Sequence, residues 1–391
     1  MTQSDWSVPE TAVVQRIRDR LDADETDVLA TIVDVEGNAY RRPGAKMLLD
    51  EGGTGVGSIT AGCLEDELVA VGEEVRETGR PKLVTYDLME DDEEDTWGLG
   101  VGCNGIIKVL LEPLNRTYRP AVEAFFDGRD VGIVTVLDGE GTAFEQGDRA
   151  YYHPADGALR TPEGDAATGW PSASLSGPAG ELAERGSADT VTVDTDDGEL
   201  TVFIDGLAAP PELVVFGTGH DVGPVTEFAA KNDFRVTVVG FRGAVDLEER
   251  FPAADRVVTT APGTVGDDLD LDDSTYAVVM THNFVDDRLT VEALLAADVP
   301  YVGLMGPRDR FEEMLDDFEA EGTSFSEDAL SSLYTPVGLD LGGGSPFQIA
   351  HSIVAEALAV SNDRTPQHLK SREGAIHDRV DVDSDADAPA Q

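Results

Sequence analysis

The chain has 391 residues, of which 78 are acidic and 28 basic, giving a formal charge of −50. A hydrophobic fraction of 41% is enough for packed cores and excludes wholesale disorder, and the length suggests two domains. The acidic excess excludes nucleic acid and anionic membrane as partners, since both need basic patches, and reads as adaptation to a salt-filled cytoplasm whose ions screen self-repulsion.

The acidic, polar start over residues 1–10 lacks the basic and apolar segments of a signal peptide, and no apolar run is long enough to span a bilayer. A cytoplasmic location is expected. Two cysteines, Cys63 and Cys103, are too few for a disulfide framework, and the six histidines form no zinc-type cluster.

Val13, Val14, Ile17 and Leu21 recur at the helical interval and predict a helix over residues 9–21. Strands are expected at 28–35, 47–49, 83–86 and 106–111, with a turn at Gly37-Asn38, a helix over 64–77 and an acidic loop at 90–95. Residues 8–115 thus read as one α/β domain. Residues 116–211 read as a β-rich connector with strands at 131–137 and 191–193 and a Gly/Ala/Pro/Ser-rich loop over 155–186. It carries no catalytic signature and ends in a stiff hinge, Ala208-Ala209-Pro210-Pro211. From 212 to 361 strands at 213–216, 235–239, 277–280 and 301–304 alternate with helices, which implies a parallel sheet covered on both faces. The last helix opens on a capping box, Ser345-Pro346-Phe347-Gln348, and its apolar face comprises Ile349, Ile353, Val354, Ala357 and Leu358. The acidic tail, 362–391, is expected to be disordered.

Gly217-Thr218-Gly219-His220-Asp221-Val222-Gly223 lies between a strand and a helix, where glycines let the backbone approach a phosphate at the helix N-terminus. Val222 holds the usual third-glycine position and Gly223 follows it. The second strand of an NAD-binding domain should end in an acid, but Gly240 stands there. Two residues on, Arg242 either meets a phosphate, such as the 2′-phosphate of NADP, or is a plain surface arginine. His282 and Asn283 follow a buried strand at its ligand-binding end, and Arg308 follows a later strand as an anion candidate.

In the first domain Tyr40-Arg41-Arg42-Pro43-Gly44-Ala45-Lys46 concentrates scarce positive charge, which suits either an anionic ligand or ordinary ion pairing. Cys63 opens a predicted helix whose dipole favours a thiolate, while Glu65 and Asp66 oppose it. By composition a buried structural cysteine is the better reading, and Cys103, in a glycine-rich loop over 98–105, has the same status.

These stretches resemble the XdhC/CoxI family of accessory proteins for molybdenum hydroxylases such as xanthine dehydrogenase. The resemblance lies in residues 30–34, 39–47, 61–65, 215–220, 280–284, 303–310, 336–342 and 349–358. It implies an α/β chain with an N-terminal domain of that family and a C-terminal Rossmann-type doubly wound parallel sheet. It also implies a chaperone that binds molybdenum cofactor, supports its sulfuration and delivers it to a hydroxylase apoenzyme, with a cysteine desulfurase and a second copy of the chain as further candidate partners. On that analogy Cys63 contacts the molybdenum or handles sulfur. The loop of Gly217, Gly219, His220, Asp221 and Gly223 holds a phosphate or nucleotide, and Arg41, Arg42 and Lys46 line the cofactor's cleft. Gly240 departs from the family pattern. The competing readings are an NAD(P)-dependent oxidoreductase and a noncatalytic partner of a hydroxylase, since a fold alone does not assign function.

Raising KCl from about 0.1 M to about 1 M shortens the screening length from ~10 to ~3 Å, so the thermal midpoint followed by circular dichroism is expected to climb across that range. A midpoint indifferent to salt would contradict the salt-adapted reading.

Overall fold

The computed structural model describes residues 5–23, 26–37, 39–88, 105–243 and 246–371. The turn at Asn38, the acidic loop at 90–95, Cys103 with most of its glycine-rich loop, and the tail beyond 371 lie outside the described residues. Two compact units divide the described chain, one ending at Ala209 and the other spanning Pro210–Arg372. No described helix is long and apolar enough to cross a membrane.

The first unit opens with α1 (Glu10–Arg20), β1 (Val28–Gly37), β2 (Lys46–Leu49), β3 (Gly55–Gly57), α2 (Glu65–Thr78), β4 (Lys82–Asp87) and β5 (Gly105–Pro113). The strands pair antiparallel in the order β3-β2-β1-β5-β4. Side chains alternate across a strand, so β1 feeds two cores. Val28, Ala30 and Ile32 pack with Leu68 and Val75 of α2. Leu29 turns the other way, to Val13, Val14 and Ile17 of α1.

Residues 116–207 add α3 (Arg119–Phe126), β6 (Val131–Asp138), β7 (Arg149–His153), β8 (Ala158–Arg160), α4 (Ser172–Arg185), β9 (Ala188–Asp194) and β10 (Glu199–Leu207). They form a second antiparallel sheet in the order β8-β7-β6-β10-β9. This stretch is more than a connector. Val131, Ile133 and Tyr151 share the core of α1, which makes it part of the first unit. The expected loop over 155–186 also contains α4, whose Leu175, Ala179 and Leu182 cover Val134, Val202 and Ile204. Small residues hide this helix in the sequence yet allow it to sit close. A Cβ on Gly206 would collide with the Leu182 carbonyl.

Two buried ion pairs join the sheets. Lys46 of β2 meets Asp205 of β10 at 2.6 Å. Arg149 of β7 donates to both carboxylate oxygens of Glu112 on β5, at 2.6 and 2.7 Å, and to Thr117 and Thr135. Its guanidinium lies 5.0 Å from the ring of Tyr118, whose phenol is held well above its usual pKa by burial.

The second unit comprises β11 (Glu212–Phe216), α5 (Val222–Lys231), β12 (Arg235–Gly240), α6 (Leu247–Arg250), β13 (Arg256–Thr259), α7 (Val265–Asp268), β14 (Thr275–Val279), α8 (Phe284–Ala296), β15 (Tyr301–Leu304), α9 (Arg308–Glu321), α10 (Glu327–Ser331), β16 (Leu333–Tyr334) and α11 (Pro346–Ser361). Its sheet is parallel, in the order β13-β12-β11-β14-β15-β16. That is the 3-2-1-4-5-6 order of the Rossmann fold, reversing between β11 and β14. Leu213 and Val215 face α5 and α11, while Val214 and Phe216 face α8 and α9. The capping box of α11 forms as expected. Its buried residues are Ala350, Ile353, Val354, Glu356 and Ala357, Leu358 is half-buried, and Ile349 lies within the exposed first turn.

Removing one partner of a buried pair strands the other charge. Arg149→Met is therefore expected to cost roughly 3–5 kcal/mol in denaturant unfolding, and adding Glu112→Leu to recover most of it. A loss below about 1 kcal/mol would mean that water reaches Glu112.

Candidate functional site

In the first unit the thiol sits on a buttressed turn. Thr60 Oγ1 accepts from the backbone N–H groups of Gly62, Cys63 and Leu64 at 3.2–3.3 Å, and donates to buried Glu65 at 2.6 Å. Glu65 also accepts from the N–H of Thr60 and of Leu64. With these polar groups turned inward, the Cys63 side chain points out, just before the N-cap Leu64 of α2. Cys63 is exposed, which overturns the expectation of a buried structural cysteine. Beneath the turn, Tyr86 shares the core of Ile59, Leu64 and Leu68. Burial, helped by the Glu67 carboxylate, pushes its phenol up to about 12.

The basic loop divides. Arg41 pairs with Glu10 of α1 and reaches Ser58 Oγ at 3.4 Å, which ties it to the segment leading into the thiol turn. Arg42 is exposed. Lys46 is turned inward, 5% exposed, with its ammonium on Asp205 and the Gly44 carbonyl. A lysine on a strand buried along its length cannot line an open cleft, so that expectation is corrected.

In the second unit β11 and β14 are neighbours in register, Phe216 opposite Val279. The loops after them therefore emerge side by side. Gly217 has φ 150°, a region open only to glycine, and a Cβ there would lie 2.6 Å from the Met280 carbonyl oxygen. Val222, in place of a third glycine, is fully buried against Val225 and anchors α5 by packing. A Cβ on Gly223 would meet nothing within 4 Å, and His220 is exposed. Asp221 pairs with His282 across the two loops at 2.7 Å, and His282 takes a left-handed backbone, φ 60°.

Asn283 is the N-cap of α8, its Oδ1 accepting from Val285 and Asp286 N–H groups. Arg242 is 73% exposed and pairs with Asp286 at 3.1 Å. Arg308, the first residue of α9, is exposed. The sequence reading missed the residues that hold these loops. Asp287 is buried, accepts from the N–H (3.2 Å) and hydroxyl of Thr281, and is paired with Arg310, whose guanidinium lies 5.5 Å from the Phe284 ring. The signal was there: Asp287 shares the buried face of α8 with Thr290, Val291 and Leu294, at the helical interval of a core stripe.

The fold and these loops define a two-unit protein of the Rossmann class, with a thiol-bearing antiparallel unit preceding a glycine turn at the sheet's reversal point. Residues 213–357 match the XdhC Rossmann domain, and residues 20–87 match the XdhC and CoxI family. The chain is 30% identical over 346 residues to a protein of Bacillus subtilis (strain 168) described as a probable xanthine dehydrogenase subunit, spanning 86% of this chain and 94% of that one. An uncharacterized protein of Escherichia coli (strain K12), YqeB, is 28% identical over 185 residues, 47% of this chain and 33% of its own length. A crystal structure of a xanthine dehydrogenase from Bacillus halodurans is similar with a TM-score of 0.69 at 28% identity, covering 90% of this chain and 96% of that one. The chain belongs to the XdhC and CoxI family.

If Asp287 holds the His282 loop, Asp287→Ala strands Arg310 and is expected to cost about 3 kcal/mol of stability. Amide exchange at Thr281 and Asn283 should accelerate more than at strand β14. Uniform acceleration across the unit would show that Asp287 serves the core and not the loop.

Proposed function

We propose that this protein is an accessory component of a xanthine dehydrogenase-type molybdenum hydroxylase, binding molybdenum cofactor, supporting its sulfuration and delivering it to the apoenzyme. The names carried by its relatives point to that class of enzyme. One observation supports the finer reading: Cys63 is exposed on a turn whose Thr60 and Glu65 side chains bind its own N–H groups, and a Cβ on Gly62 would meet nothing within 4 Å. A thiolate is a soft ligand, fit for a molybdenum–sulfur centre.

When bound, molybdenum cofactor supplies a soft metal dithiolene and a phosphate. Cys63 would hold the metal end or carry the sulfur, Thr60 and Glu65 keep its turn rigid, and exposed Arg42 offers a cation. Arg41 acts through Ser58 on the turn, and Lys46 holds the strands beneath. In the second unit the turn of Gly217 and Gly219, at the N-terminus of α5, would hold a phosphate or nucleotide. A cysteine desulfurase as sulfur donor and a homodimer complete the proposal.

An NAD(P)-dependent oxidoreductase is the second reading, favoured by the strand order of the parallel sheet. Anaerobic titration of the full chain with molybdenum cofactor in molar KCl separates the two. Wild type is expected to bind and Cys63→Ala to bind on the order of tenfold more weakly or worse, the loss typical of disturbed metal ligation. Equal binding by both would remove Cys63 from the site. No cofactor binding, together with NADPH binding, would shift the assignment to the oxidoreductase.

A further inference from the structure

Asp221 occupies the N-cap position of α5 yet makes no capping hydrogen bond through its side chain. Its Oδ1 folds back over Gly219, closer than a Cβ on that residue could tolerate. Its Oδ2 lies 2.7 Å from His282 Nε2. His282 is presented by a left-handed residue, a backbone that non-glycine residues rarely adopt, and the adjacent Thr281 is fastened to buried Asp287. The tether is therefore built into the loop. The carboxylate stands over the glycine turn at the N-terminus of α5, where free N–H groups and the helix dipole draw a phosphate in this fold.

We propose that Asp221 is the specificity determinant of the glycine turn, an internal anion tethered by His282 that a phosphate group enters only by displacing. Its departure frees His282 Nε2 to meet that phosphate. The inference rests on the reading of this turn as a phosphate-holding site. Like charges at contact distance oppose each other strongly, so while the carboxylate is in place the turn disfavours any phosphate group, the pyrophosphate of a dinucleotide included. The end of β12 agrees: Gly240 offers no carboxylate to a ribose, and the space above it is taken by Thr218 and Leu247.

The test is calorimetric titration of the full chain in molar KCl with two probes, NADPH and inorganic pyrophosphate. Asp221→Asn keeps the size of the side chain and removes its charge; Asp221→Ser also removes the charge and is a favoured helix cap. Both are expected to tighten both probes by on the order of tenfold or more, with thermal midpoints near that of wild type. His282→Ala in the Asp221→Asn background is expected to reverse much of the gain. Unchanged or weaker binding by the Asp221 variants, with wild type still binding, overturns the proposal and leaves the phosphate-holding turn intact. Binding of neither probe by wild type or variants removes both.

Discussion

The second unit depends on β11 and β14 being parallel neighbours in register. Phe216 stands opposite Val279, and the Met280 N–H donates to the Phe216 carbonyl at 2.9 Å. The next residue of β11's chain therefore has to pass against the Met280 backbone, and Gly217 does so at a φ closed to other residues. From that contact the rest follows in order. The glycine turn delivers Asp221 to one side of the reversal point and the β14 loop delivers His282 to the other, within hydrogen-bond reach. The apolar faces of α5 and α11 on one side, and of α8 and α9 on the other, keep the strand ends from shifting relative to each other.

The features written in local sequence were the legible ones. A strand, a glycine turn and a helix in succession identify the reversal point, and the capping box identifies the start of α11. What escaped depends on long-range partners. Lys46 belongs to a basic run, yet its ion partner Asp205 is remote in sequence on another sheet. Asp287 looks like an ordinary acid in the first turn of a helix until α9 brings Arg310 to it. Helix α4 was hidden because Ser, Gly and Pro argue for a loop, while the burial of Leu175, Ala179, Leu182 and Ala183 argues for a helix with small, closely packed turns. For Cys63, composition pointed inward, but Thr60 and Glu65 had already taken the polar groups of the turn and left the thiol outside.

Positive charge is scarce in this chain, and a few of its cations are spent on internal carboxylates. Lys46, Arg149 and Arg310 each meet a carboxylate that is nearly or wholly buried. Such pairs gain little over an apolar contact of the same shape, but breaking one leaves an uncompensated charge. They are also screened far less by salt than exposed pairs. In concentrated salt the repulsion among surface carboxylates fades while these internal contacts persist, so the same medium relieves the surface and leaves the specificity of the core unchanged.

The pair of Asp221 and His282 differs from those three. Its carboxylate is 28% exposed and its imidazole 57% exposed, so neither group would be stranded if they parted. Water can take the place of either partner, and another anion that of the carboxylate, at small cost, as they cannot for Asp287 or Glu112. Rigidity and exchangeability therefore sit next to each other in one loop: Thr281 is fixed by the buried carboxylate of Asp287, and the next residue, His282, holds the replaceable one of Asp221. A binding turn needs both, a backbone that does not move and a side-chain contact that can be given up.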